Sequence, residues 1–205
     1  SFPPATSPIR VFPQLSTILA GGEVNGDGED LSNVSREMTF RLTVRDNQIV
    51  GGISCDETIV NVENTGNPFQ ITSQNTATSW TANGSNQETI TWNVANSDVA
   101  PVNCVNVNIL FSNDGGQTFS TLISGTPNDG SESILIPMGI TNQGRIKIEC
   151  ANNIFFDINN ANFTITVNSK IATPKLPIKR YIKSIAKKQT KRYSKPLKSC
   201  ISAIP

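Results

Sequence analysis

The sequence predicts an all-β chain whose main body is an antiparallel β-sandwich. Apolar side chains recur at every second position in at least six short runs. Those runs are bounded by Gly, Asn, Asp and Pro clusters, and Thr, Ser and Asn are plentiful while Leu and Ala are scarce. Period two with frequent turn residues is the pattern of half-buried strands joined by tight connections. Scarcity of the best helix formers points the same way.

The first row pairs Met38, Phe40, Leu42 and Val44 against Thr39, Arg41, Thr43 and Arg45. Ile90, Trp92 and Val94 then alternate with Thr89, Thr91 and Asn93, and Val105, Val107, Ile109 and Phe111 oppose Asn106 and Asn108. Ile134 with Ile136, Ile146 with Ile148, and Phe163 with Ile165 and Val167 complete the series. Residues 68–168 therefore read as a complete Ig-like or fibronectin-III-like sandwich, a module of about 100 residues. Residues 1–65 hold about three strands, near 38–45, 58–62 and, weakly, 15–19. Three strands cannot cover both faces of a sheet, so this part reads as a partial β module, the end of a domain that starts upstream. A linker is expected at Glu63 to Pro68.

Charge divides the chain further. Residues 1–169 carry six basic side chains and all 16 acids, whereas 170–205 carry the other 11 of the 17 basic residues and no acid. Body and tail are different kinds of polypeptide. Three readings of the tail stay open. It is a disordered solvated segment punctuated by Pro174, Pro177 and Pro196. Alternatively it is an amphipathic basic helix with Ile178, Ile182, Ile185, Gln189 and Tyr193 near one face, suited to an anionic membrane or nucleic acid. The third reading is a frameshifted terminus of an AT-rich gene; the solvated tail is preferred, and nucleic acid is not an expected partner.

No apolar run approaches the roughly 20 residues of a transmembrane helix. The start, Ser-Phe-Pro-Pro, has neither an initiator Met nor a signal peptide, and reads as a mid-protein beginning. The cysteines at 55, 104, 150 and 200 are too scattered for a zinc knuckle.

One stretch is familiar. The run from Ser79 to Val94, Ser-Trp-Thr-Ala-Asn-Gly-Ser-Asn-Gln-Glu-Thr-Ile-Thr-Trp-Asn-Val, resembles a segment of Ig-like modules in secreted Bacteroidetes proteins. Ala100 to Val107, Thr126 to Gly130 and Asn153 to Ile165 follow in the order those modules show. Arg10 to Leu19 and Leu42 to Asn47 resemble the segment joining such modules to a reprolysin-like zinc metallopeptidase domain. The resemblance spans residues 7–167. It implies a secreted or cell-surface location and a non-catalytic accessory region, with upstream domains of the same polypeptide as its partners. Two departures stand out. Those enzymes hold zinc with an HExxH helix, and this chain has no histidine at all, so the two imidazoles that chemistry needs are missing. Residues 170–205 also do not resemble the sorting domain that often ends such proteins.

Candidate sites are few. Ser112-Asn113-Asp114-Gly115-Gly116-Gln117-Thr118-Phe119 fits an Asp-box, in which the aspartate caps turn amides and an aromatic folds back on the hairpin. Trp80 reads as a core lid or as an exposed sugar-stacking platform. In the second case Trp80, Asp114 and Phe119 form a contact face for a cell-surface glycan or protein. Calcium, the only cofactor considered, has two candidate ligand sets. These are Asp27, Glu29 and Asp30, and the loop set Asp114, Asp129 and Asp157; neither has the spacing of an established calcium loop. No catalytic residues are expected, since a Ser-His-Asp triad needs histidine and no two carboxylates stand out as a glycosidase pair. Export permits a Cys104–Cys150 disulfide. Strand parity opposes it, because Cys150 follows Ile146 and Ile148 inward while Cys104 shares parity with outward Asn106.

Overall fold

The computed structural model describes residues 9–21, 29, 31–46, 48 and 51–168. Asp27, Asp30 and the basic tail, with its alternative readings, lie outside the described residues.

Strand β1 (Arg36–Arg45) pairs antiparallel with β2 (Ile53–Val62) in unbroken register from Arg36 opposite Val62 to Arg45 opposite Ile53. At the turn, the Asp46 carboxylate accepts the Gln48 and Gly52 amides at 3.0 and 2.8 Å. The third expected strand is instead a short helix, α1 (Leu15–Leu19). Leu15, Ile18 and Leu19 stand at i, i+3 and i+4, the spacing of one helix face, and the amides of Thr17 and Ile18 bond back to Gln14. A period-two reading of five residues could not separate these cases. The ribbon's apolar row is covered only toward one end. Phe12 meets Phe40 with ring centroids 5.2 Å apart, whereas Leu42 is 68% exposed.

From residue 70 onward the chain builds two facing sheets. The smaller one orders β3 (Gln70–Ile71), β5 (Gln87–Asn93) and β8 (Ser131–Leu135) side by side. The larger runs β4 (Ser79–Ala82), β11 (Phe163–Val167), β9 (Thr141–Cys150), β6 (Asn106–Ser112), β7 (Ser120–Pro127), and β10 (Phe156–Ile158) also pairs with β9. The fold is an all-β sandwich. One pairing departs from a wholly antiparallel expectation: β4 and β11 run parallel. They are distant in sequence, so no hairpin dictates their direction.

The core lies between the sheets, and alternation explains its membership. Trp80 and Ala82 on β4, Ile90 and Trp92 on β5, and Val107 and Ile109 on β6 are all buried. Ile134, Ile146, Ile148, Phe163 and Ile165 join them from the other strands. Val105 does not. It is 60% exposed, because the chain enters β6 only at Asn106. Asn103, at φ +54°, turns the backbone just before.

Packing against Phe163 depends on a missing side chain. A Cβ on Gly144 would sit 2.5 Å from Phe163 Cε2 and 2.7 Å from Cδ2, and this ring stacks on Trp80. Gly144→Ala is expected to cost about 1–3 kcal/mol through overpacking, read as a lowered urea midpoint. An unchanged midpoint would show that the ring has room to move.

Up to Val167 the chain forms one compact unit. Among the described residues the β1–β2 ribbon shares no strand pairing with either sandwich sheet, and α1 touches the sandwich directly. Arg145 donates to the Leu19 carbonyl at 3.3 Å.

Candidate functional site

Trp80 is 2% exposed, its ring centroid 3.9 Å from that of Phe163. The ring is a core lid, the preferred of the two readings, and its burial corrects the alternative in which Trp80 is part of an exposed contact face. The cause is parity, since Trp80 and Ala82 share the inward side of β4.

The Asp-box forms the turn between β6 and β7. Asp114 Oδ1 accepts the Ser112 hydroxyl at 2.6 Å and the Gln117 and Thr118 amides at 3.0 Å each, while Thr118 Oγ1 donates to Oδ2 at 2.5 Å. Both oxygens are thus engaged within the turn. The Ser112 and Thr118 hydroxyls, then the amides, hold this carboxyl well below the usual range. Phe119 is half-buried. Lys147 Nζ lies 5.8 Å from its centroid and 4.3 Å from that of Phe156, and it pairs with Glu149 at 2.7 Å. The chain's own lysine occupies the space beside Phe119.

The second calcium set is not one site. Among the described residues no three acidic, histidine or cysteine side chains group to hold a metal. Asp114 caps its hairpin, and Asp129 lines an open hollow of about 600 Å³ with Asn67, Asp98 and Trp92. Asp157 turns inward opposite Ile148, where its carboxylate accepts the Ile71 amide at 2.7 Å. Of the first set only Glu29 is described. It is buried, ion-paired with Arg10 and bonded to the Gln14 amide at 2.9 Å, so it ties down the segment before α1.

Asp114 and Asp157 respond to acid in opposite senses. Burial raises the Asp157 pKa above its ordinary 3.8 despite two amide bonds, so the folded state binds that proton more tightly than the unfolded chain. Stability from this group is highest below 3.8 and is lost as pH climbs through the raised value. Asp114 is depressed, so its contribution is present above 3.8 and lost as pH falls below it. Asp157→Asn keeps an oxygen for the Ile71 amide, and it should be more stable than the native chain at pH 7 but not at pH 3. Asp114→Asn should be less stable at pH 7, with the difference shrinking in acid. Urea melts at the two pH values check both signs.

Cys104 and Cys150 form a disulfide, with Cα atoms 5.9 Å apart. The parity objection is corrected. Cys104 precedes β6 and is fully buried although Val107, an odd number of residues away, is also inward. Alternation does not extend back beyond Asn106, where β6 begins. Cys55 is free and exposed on the ribbon.

Two buried asparagines were not singled out by sequence. Asn128 Oδ1 accepts Trp92 Nε1–H at 2.8 Å, and its Nδ2 donates to Ser97 Oγ and the Cys104 carbonyl at 2.9 Å. Asn159 accepts the Ile146 amide at 2.7 Å and donates to the carbonyls of Gln74 and Ala161 at 2.6 Å. Each replaces strand hydrogen bonds where a loop crosses the core edge. In a chain rich in loop asparagine, no local signal separates these two from the rest.

Among the described residues no helix is long and apolar enough to cross a membrane. No protein-family model matches this chain, and a search of the curated proteins returns no match.

Proposed function

We propose that this chain is a non-catalytic accessory region of a secreted, metallopeptidase-like multidomain protein. Its sandwich spaces and stabilises neighbouring domains of the same polypeptide. One observation carries the reading: the side chains that looked chemically capable serve the framework. Asp114 caps a turn, Asp157 holds backbone, and Trp80 is core. The resemblance of residues 7–167 to the accessory regions of reprolysin-like enzymes supports the choice of parent. Reading the gene on both sides of this segment tests it, with an HExxH-bearing domain expected upstream. Turnover of casein or a glycan by this chain alone would overturn the non-catalytic assignment.

A second reading, a glycan-binding module, draws on the hollow at the end of β5. It does not use Trp80. Among the described residues the Asp98 side chain makes no hydrogen bond, and of Asn67 the backbone carbonyl is bonded, to the Thr65 hydroxyl, while its side chain is not, leaving polar groups for a hydroxylated ligand. Retention on a glycan array, abolished by Asp98→Ala, would favour it.

A further inference from the structure

The Asp-box hairpin has a feature that its turn chemistry does not require. Gly116 is buried, and a Cβ there would run into the Leu19 side chain. Its φ of +94° favours glycine in any case, but the close approach comes from α1, almost a hundred residues earlier in the chain. Beside it stands Arg145, 8% exposed and with no carboxylate among its partners. The guanidinium donates to three oxygens from two segments: Asn162 Oδ1 at 2.6 Å and the Asn159 carbonyl at 2.5 Å in the β10–β11 loop, and the Leu19 carbonyl at 3.3 Å. Burying a cation among neutral oxygens is costly, and burial lowers its pKa accordingly. A rigid fork of donors suits this arrangement, because it bridges several acceptors with one side chain. One of those acceptors is the last carbonyl of α1. Gly21, just beyond, approaches the Asn160 side chain.

We propose that the Asp-box hairpin and Arg145 form a docking seat, and that its occupant is the segment of this chain carrying α1. What precedes the sandwich is then clasped to it at two places. One is this seat; the other is the 63–68 connection, where Asn96 Nδ2 donates to the Thr65 carbonyl at 3.4 Å. An accessory region built this way transmits orientation between its neighbours, which a single free linker does not. The seat rests on contacts within this chain, so it stands or falls independently of the metallopeptidase assignment.

A five-residue helix has almost no stability of its own. Protection of its amides from hydrogen exchange therefore reports docking. The experiment is exchange followed by mass spectrometry on the full chain, comparing the native protein with Leu19→Lys and Gly116→Val. Leu19→Lys withdraws the apolar knob and sets a second cation near Arg145, yet removes nothing from the sandwich core. The expected result in both variants is a loss of at least about tenfold in protection over 14–21 with 141–150 unchanged, and in Leu19→Lys, which leaves the hairpin backbone alone, 106–112 is unchanged as well, as for a separately opening unit. Should Leu19→Lys not fold, Leu19→Ala is read in the same way. Unchanged protection over 14–21 would overturn the seat. So would a joint loss in all three segments, which would make α1 an inseparable part of the core.

Discussion

Replacing Cys104 and Cys150 together by alanine is expected to remove about 4 kcal/mol of unfolding free energy, the chain-entropy value for a loop of this length. The bond closes a separation of 46 residues, which contains β6, β7, β8 and most of β9. Without it, the unfolded chain regains the freedom of that whole stretch. For a chain of this size the melting temperature should drop by roughly 10 °C. The native protein should show the same drop when reductant is added, while the double variant should not respond to reductant. Proteolytic mapping without reduction should find the Cys104 and Cys150 peptides joined. Equal urea midpoints for native and double variant would remove the bond from any account of stability.

The second large effect is expected at Asn128. Asn128→Ala leaves the Trp92 indole N–H, the Ser97 hydroxyl and the Cys104 carbonyl without a partner that sits 2.8–2.9 Å away in the native chain. An unpaired buried polar group costs about 1–3 kcal/mol, so the combined loss should reach about 3 kcal/mol. Asn128→Asp makes the test sharper. It keeps an acceptor for Trp92 but turns the donor facing the Cys104 carbonyl into an acceptor, and it brings in a buried charge. Its deficit should therefore grow as pH rises above the carboxylate range. Tryptophan fluorescence during urea unfolding gives both values. A loss under 1 kcal/mol for the alanine variant would mean that Asn128 fills a loop rather than holding it.

Both residues sit at one seam, where the chain leaves β5, turns at Asn103 and enters β6. The disulfide joins that turn to the end of β9, and Asn128 joins it to β5 and the β7–β8 turn. Loops 94–105 and 127–130 are thereby pinned by a covalent bond and a polar bridge, in addition to the packing of Val94 and Val102 on the core. The same device recurs in the β10–β11 loop through Asn159 and Arg145. There the pinned object is α1, and the price of burying Arg145 is offset by three oxygen partners.

Much of the framework was legible beforehand, for a simple reason. Ile90 and Trp92, Ile146 and Ile148, and Phe163 and Ile165 are inward because a strand flips its side chains at every step. That rule needs no knowledge of the partner strand. It fails wherever the chain stops being a strand. Extending the parity of β6 back past its first residue, Asn106, puts Cys104 outward and Val105 inward, and the structure reverses both. Leu15 to Leu19 were read as a weak strand because five residues fit both periods.

The candidate site was less legible. The Asp-box hairpin could be read as a unit because its hydrogen bonds are all local, within a few residues of Asp114. For Trp80 a position beside a turn leaves both a lid and a platform open, with the lid preferred, and only the burial of the ring decides between them. The set Asp114, Asp129 and Asp157 was grouped by charge alone, and the fold separates those three carboxylates. Sequence on its own determined the all-β class, the inward rows and the self-contained turn, each a matter of short-range geometry. Only the tertiary structure decided which polar groups are buried, which cysteines meet and what α1 rests on. Those outcomes depend on contacts between residues tens of positions apart, and nothing in the local pattern records such distances.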